Sequence, residues 1–254
     1  MQKLLSYIRS AADDYQMIEE GDKIAVGVSG GKDSLTLLCA LAGLKKFYPK
    51  KFDIVAITVS MGYEEMDFSG VKALCEDLNV EYITKETDIA KIVFDIRCEK
   101  NPCSLCANLR RGALNKAALE AGSRKVALGH HEDDVLETFM LSLVYEGRVN
   151  CFSPVTYLDR KGITLIRPMI YTPEKYIKGF AKRYSLPVVT NPCPADKHTK
   201  REYIKNLIQN IDRENPGFKT RLYTAIETSH AGGFGIINGR SDLFENSNGN
   251  KESK

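Results

Sequence analysis

Ser29-Gly30-Gly31-Lys32-Asp33-Ser34 follows directly on the apolar run Ile24-Ala25-Val26-Gly27-Val28. The run reads as a buried strand, and the residues from Leu35 to about Lys46 read as a helix. A strand that ends in a glycine turn and opens into a helix leaves several backbone N–H groups free. The helix dipole adds positive potential at the same place. Such a junction binds anions. Gly30 and Gly31 let the backbone approach a phosphate closely. Ser29 and Ser34 supply hydroxyls, Lys32 supplies a charge, and Val28 ends the strand against them. The stretch is expected to hold the phosphates of a nucleotide.

It is not the common P-loop. That pattern wants Gly where this chain has Val26, and a Ser or Thr where it has Asp33. A carboxylate among phosphates makes sense if Asp33 holds Mg²⁺ or orients the loop. The six residues resemble the PP-loop of the ATP pyrophosphatase superfamily, Ser-Gly-Gly-x-Asp-Ser. Those enzymes cut ATP between the α and β phosphates and pass AMP to an acceptor.

Outward from the loop the pattern alternates. Strand-like runs at 24–28, 53–59, 80–84 and 125–129 are separated by helix-like runs at about 34–47, 67–79, 104–121 and 133–146. This predicts an α/β fold, a parallel sheet with helices on both faces. Ligands in such sheets sit at the carboxyl ends of the strands. The loops at 29–34, 103 and 130 therefore converge on one cleft. The end of the second strand, including Val59, is placed near adenine by position alone.

After Gly147 two short strands, 151–157 and 163–167, flank an Asp159-Arg160-Lys161-Gly162 turn. A helix from Pro173 to about Tyr184, an extended stretch at 186–190, and helices at 199–211 and 216–228 follow. Residues 1–230 are expected to form one domain with a small C-terminal helical extension. The Gly-, Ser- and Asn-rich residues 231–254 are expected to be a disordered tail. The first nine residues read as an amphipathic helix without a signal peptide's apolar core. No apolar run is long enough to span a bilayer. With 43% hydrophobic residues over 254 positions, this predicts a cytoplasmic α/β protein.

Net charge is +3, but it is unevenly spread. Residues 1–147 hold 18 basic and 23 acidic side chains, whereas residues 148–205 hold 12 and 4. A basic C-terminal segment points to a polyanionic partner.

Seven cysteines without an export signal mean thiols, metal ligands or redox chemistry. Cys103-Ser104-Leu105-Cys106 opens a helix, where the dipole is expected to lower thiol pKa. Cys193 lies far downstream in a Pro-flanked loop, Asn191-Pro192-Cys193-Pro194. Three readings stand on these residues: an Fe–S cluster on Cys103, Cys106 and Cys193; a zinc site completed by Cys98 or His198; or a redox pair. Cys98-x₄-Cys103-x₂-Cys106 also has the plant-type ferredoxin spacing, but a ferredoxin has no use for a phosphate loop. Cys39, Cys75 and Cys151 read as core residues.

The resemblance extends beyond the PP-loop. Pro102-Cys-Ser-Leu-Cys106 is followed by Leu109-Arg110-Arg111-Gly112, then by Leu128-Gly129-His130-His131-Glu132-Asp133-Asp134. Ile166-Arg167-Pro168-Met169-Ile170-Tyr171 and Asn191-Pro192-Cys193 come later. This ordered set resembles the tRNA 2-thiocytidine synthetase (TtcA) family over roughly residues 15–230.

The resemblance implies ATP and Mg²⁺ at the PP-loop. It also implies a [4Fe–4S] cluster on Cys103, Cys106 and Cys193, with one iron open to sulfur. It implies adenylation of the C2 carbonyl of a tRNA cytidine, position 32, and its replacement by sulfur. Lys32, Asp33, His130, Asp134, Cys103, Cys106 and Cys193 are then the expected catalytic residues, and Gly129 and Asp133 border the nucleotide. Arg110 and Arg111 help the chemistry or hold RNA. Arg148, Arg167, Lys197, Lys200, Arg201 and Lys205 are expected on tRNA phosphates. The sulfur donor would be a cysteine desulfurase or free sulfide, and a homodimer is compatible with the family. Two departures stand out, the run Pro194-Ala195-Asp196-Lys197-His198 and the extra Cys98. They leave open thiolation of another tRNA nucleoside or of a small molecule by the same chemistry. A zinc-stabilised RNA-binding module with a nucleotide-sensing PP-loop is the non-enzyme alternative. With no Cys before 39 or after 193, the chain lacks the terminal zinc fingers of 2-thiouridine enzymes.

Overall fold

The computed structural model describes residues 1–63, 66–97, 102–190, 192–193 and 200–235. Cys98, Lys197, His198 and residues 236–254 lie outside them. The described residues form a six-stranded sheet in the order β3-β2-β1-β4-β6-β5. The strands are β1 (Asp22–Gly27), β2 (Phe52–Val59), β3 (Glu81–Lys85), β4 (Lys125–Ala127), β5 (Val155–Leu158) and β6 (Ile163–Ile166). All neighbours are parallel except β5, which runs antiparallel to β6 at one edge. The alternation predicted the parallel part, and the turn at 159–162 makes the edge hairpin.

The central strand β1 carries Ile24, Ala25 and Val26, all fully buried. Burial on both faces is what a continuous apolar run means in a parallel sheet. On one face lies α2 (Lys32–Leu44), whose Leu35, Leu37, Leu38, Leu41 and Leu44 are fully buried. A helix apolar all round must be covered all round. Here α1 (Gln2–Asp14) and α7 (Glu174–Arg183) complete the cover with Ile8 and Ile177. On the other face α5 (Pro102–Glu120) packs on β2 and β4 through Ala117 and Ala118.

The chain builds β1, β2 and β3 outward and then returns to place β4 on the other side of β1. Strand order therefore reverses between β1 and β4. That switch point is where open α/β sheets hold ligands. The loop after β1 is 29–34, and the loop after β4 leads into α6 (Glu132–Leu141). α8 (Lys200–Glu214) and α9 (Phe218–Thr228) pack against α6 as the C-terminal helical extension.

Three local differences from the sequence reading have physical reasons. The helix expected to 146 changes pitch at Ser142, where a π-helical turn runs to Glu146 and Gly147 (φ +63°) ends it. A short helix, α4 (Ile89–Lys91), and a second π turn, Ile92–Ile96, were not anticipated. They bury Ile89 and Val93 beside Met61. Residues 231–235, expected to belong to a disordered tail, are ordered: Ala231–Gly233 form a 3-10 turn and Phe234 is fully buried. Its ring meets Tyr15 and Tyr223 edge-on, and Gly235 N–H donates to the Tyr15 hydroxyl. Among the described residues no helix is long and apolar enough to cross a membrane.

Candidate active site

A cavity of about 540 Å³ opens at the switch point. That is within the size range of sites for nucleotide-sized ligands. Its walls include Val28, Ser29, Asp33 and Ser34 from the first loop, Gly129, His130 and Asp134 from the second, and Val59 at the end of β2. Arg110 and Arg111 of α5 and Arg167 after β6 complete it. Loops about 100 residues apart thus share one cleft, as the strand order requires.

The 29–34 loop is tied to itself. Ser34 Oγ donates to the Gly31 carbonyl at 2.9 Å, accepts Ser29 N–H at 3.1 Å and lies 3.2 Å from Ser29 Oγ. Gly30 adopts φ +83°, and a Cβ there would sit 2.8 Å from the Cβ of Val189. The extended stretch 186–190 lies over the loop, with Val189 N–H donating to Gly30 O at 3.0 Å. Gly129 brings the second loop against the first: a Cβ would come within 3.1 Å of Ser34 N. Two glycines therefore set how closely the walls of the cleft approach.

Asp33 Oδ1 is buried without a hydrogen-bond donor and lies 3.7 Å from His131 Nε2. His131 lies 3.5 Å from Asp134 Oδ2, and its backbone N–H donates to that oxygen at 3.0 Å. Asp134 therefore caps α6 and faces the cavity at once. Asp133 does not line the cavity. It accepts Glu174 N–H at 2.7 Å and the Lys219 ammonium at 2.6 Å, which turns it toward α7 and α9. Lys32 is not in the cavity wall either. Its Nζ lies 3.1 Å from Asp33 and 3.2 Å from the buried carboxylate of Glu174.

His130 stacks on Phe152 with centroids 4.9 Å apart, and its Nδ1 is buried without a partner. Burial, followed by the charge of Arg167, lowers the imidazole to about 4. It is therefore neutral in the cavity wall. Arg167 is itself 7% exposed. Its Nη1 donates to Ser153 O and to Thr156 Oγ1, and its guanidinium covers Phe152. Burial lowers it to about 10. Arg167, expected on a tRNA phosphate, is a buried wall of the cavity.

Arg110 and Ala107 carry the cavity to the cysteines. Cys103 is exposed, while Cys106 and Cys193 are half-buried. The Cys106 thiol is raised, not lowered as a helix N-terminus alone predicts. Burial is the main cause, Cys193 and Cys103 add to it, and Arg110 opposes it. Burial and then Cys193 push the Tyr63 hydroxyl up to about 12. Cys103 and Cys193 both act on the Cys106 thiol, and Cys106 packs on a small apolar cluster of Met61, Ile89 and Val93. Among the described residues, no three His, Cys, Asp or Glu side chains converge as they would on a single metal ion. Cys39, Cys75 and Cys151 are buried in the core.

The remaining basic candidates divide. Arg148 is exposed. Lys200 lies 4.6 Å over the ring of Tyr145. Arg201 reaches Asp134, Glu137 and Thr138, each at 3.3 Å. Lys205 pairs with Glu174 at 3.1 Å. Sequence reasoning passed over His131, Phe152 and Glu174. The doublet His130-His131 was the only local sign of the first, and the other two enter through long-range packing.

The PP-loop domain family matches residues 4–211. The tRNA-cytidine(32) 2-sulfurtransferase of Geobacter metallireducens is 38% identical over 229 residues, covering 88% of each chain. That of Pseudomonas syringae is 37% identical over 219 residues, covering 85% of this chain and 80% of the relative. A solved structure, the U34-tRNA thiolase NcsA from Methanococcus maripaludis with its [4Fe–4S] cluster, superposes with a TM-score of 0.72 at 26% identity. The match covers 89% of this chain and 77% of that one. By its loop, its cleft and these relatives, the chain belongs to the PP-loop family and, within it, to the tRNA-cytidine(32) 2-sulfurtransferases.

Proposed function

We propose that this protein uses ATP to replace the C2 oxygen of a tRNA cytidine, position 32, with sulfur. One observation carries the reading: a loop built for phosphates lines a cavity whose wall at Ala107 and Arg110 adjoins the helical turn that carries Cys103 and Cys106.

A pyrimidine carbonyl is a poor electrophile, and its oxygen is a poor leaving group. The carbonyl oxygen attacks the α phosphorus of ATP, and pyrophosphate leaves. Sulfide then attacks C2, and the oxygen departs with AMP, so there is no net redox change. The backbone N–H groups of Gly30 and Gly31, with the Ser29 and Ser34 hydroxyls, hold the phosphates. Asp33, whose Oδ1 lacks a donor, is the residue to meet Mg²⁺. Lys32 offsets charge that builds on pyrophosphate. Neutral His130 lines the cavity without adding charge, with its Nδ1 buried. Arg110 and Arg111 receive phosphate from nucleotide or RNA at the cavity mouth.

Cys103, Cys106 and Cys193 suit a [4Fe–4S] cluster by donor chemistry, since all three neighbours are thiols and thiolates are the usual ligands of such clusters. Bound there, the cluster would supply one iron without a protein ligand, at which sulfide can be held. Sulfide comes from a cysteine desulfurase or from solution, and the enzyme works in the cytoplasm. Exposed Arg148 and Lys200 extend the basic surface toward the tRNA backbone.

The test incubates the anaerobically purified protein with ATP, Mg²⁺, sulfide and bulk tRNA, then analyses the nucleosides. The expected products are 2-thiocytidine and AMP whose release requires tRNA. No thionucleoside, with AMP release indifferent to RNA, sinks the reading.

A further inference from the structure

The loop lysine is paired with a carboxylate outside its own loop. Lys32 Nζ is 3.2 Å from Glu174 Oε1 on α7 and is absent from the cavity wall, although Ser29, Asp33 and Ser34 of the same loop line it. Glu174 is 7% exposed, and it holds two further lysines. Lys178 lies 3.0 Å away, one helical turn on, and Lys205 reaches in from α8 at 3.1 Å. The Glu174 N–H donates to Asp133, which also holds Lys219 of α9. One buried carboxylate therefore joins the phosphate loop to α7 and α8, and through Asp133 to α6 and α9.

Three cations on one carboxylate is more than its neutralisation requires. Withdrawing the only partner of a buried charge is strongly unfavourable. Withdrawing one of three is not, because Lys178 and Lys205 remain. Burial alone would raise the Glu174 carboxyl, but hydrogen bonds from Lys178, Lys205 and Lys32 outweigh it and hold it at about 2. It stays charged at any working pH.

We propose that Glu174 is a positioning residue that holds Lys32 off the cavity until a triphosphate takes it, with Lys178 and Lys205 keeping Glu174 paired when Lys32 leaves. ATP and Glu174 then compete for one ammonium. The loop's apparent affinity for nucleotide is set partly from α7, outside the cavity. The inference rests on the phosphate-loop reading of residues 29–34, and its test separates the two.

The test measures Mg·ATP binding to the full chain by calorimetry, in wild type, Glu174→Gln, Lys32→Met and the double variant. Glu174→Gln is expected to tighten ATP by roughly 3- to 10-fold, the range of a partly buried ion-pair contribution. The gain should vanish in the Lys32→Met background. Glu174→Gln leaves Lys178 and Lys205 facing each other, so Glu174→Gln with Lys178→Met serves as a second variant. It restores the local charge count, and the same tightening is expected. That pair also excludes a general effect of added positive charge. Unchanged or weaker ATP binding in both Glu174 variants overturns the proposal, as does a gain that survives without Lys32. Wild type that binds no ATP at all overturns the phosphate-loop reading instead.

Discussion

The two ends of the cavity are built differently. At the phosphate end, six consecutive residues bond to one another, and Gly129 and Val189 press on them from two sides. At the thiol end, Cys103 and Cys106 come from the first turns of α5 and Cys193 from a loop far along the chain. Cys106 rests on an apolar cluster of three buried residues. The backbone of the phosphate end is in place before a ligand arrives, and only Lys32 has to leave Glu174. The thiol end brings like charges together once the thiols ionise, and burial already disfavours that at Cys106. A bound metal centre supplies the missing positive charge. The two ends should therefore fail independently.

The largest expected effect comes from breaking the thiol end. Cys193→Ala should abolish visible absorption of the anaerobic protein and bring thiolation to background, with ATP affinity unchanged. A variant that loses ATP binding as well would show that the ends are one unit. The mirror experiment is Lys32→Met. Its ATP affinity should fall by roughly 10-fold, the low end for a charge-assisted contact, because part of that contact is offset by leaving Glu174. Its visible spectrum should match wild type, and a bleached spectrum would contradict the comparison.

How much of each end was legible follows from how each is assembled. The phosphate loop is contiguous, so Ser29 to Ser34 are readable as six adjacent residues of the sequence. Alternation placed the loops at the carboxyl ends of the strands, which brought His130 and Asp134 to the cleft, whereas the strand order that makes the switch point was not read from it. Charge counting misled at Arg167. It lies one residue past β6, where the chain tucks under residues 153–156, so its charge is buried although the segment is basic. Glu174 was invisible because its role depends on α7 packing against α2, not on its neighbours in sequence. The thiols were legible as a motif, but their floor was not. That floor comes from Ile89 and Val93 in a helix interrupted by a π turn.

A smaller effect sharpens the phosphate end. His130, lowered to about 4 by burial and then by Arg167, ordinarily titrates near 6.5. Between those values the unfolded chain takes up a proton that the native chain refuses. The stability tied to neutral His130 is therefore complete above 6.5 and is lost as pH falls toward 4. His130→Phe keeps a ring against Phe152 and removes the titration. Denaturant melts across pH 4 to 6.5 should show a shallower fall in the variant, by about 3 kcal/mol at the upper limit. Parallel curves would mean that His130 is open to water.

The smallest effect lies two residues away, on the face of α6 turned from the cavity. Burial and then Asp133 raise Glu132 to about 7, against the pull of Lys219 and Lys175, with Glu227 adding to the rise. The hydroxyls of Tyr7 and Tyr223 also feel its charge. Here the native state holds a proton that the unfolded chain releases above about 4.5, so the sign is opposite to that of His130. The stability tied to protonated Glu132 is complete below 4.5 and is lost as pH rises through 7. Glu132→Gln fixes the neutral form. After discounting for solvent screening, it should add about 1 kcal/mol at about pH 8, a rise of roughly 2–4 °C in melting temperature for a chain of this size. At pH 4.5 the variant should melt with wild type. A gain of the same size at both pH values would assign the effect to packing, and the charge on this face of α6 would then play no part in how α9 is held.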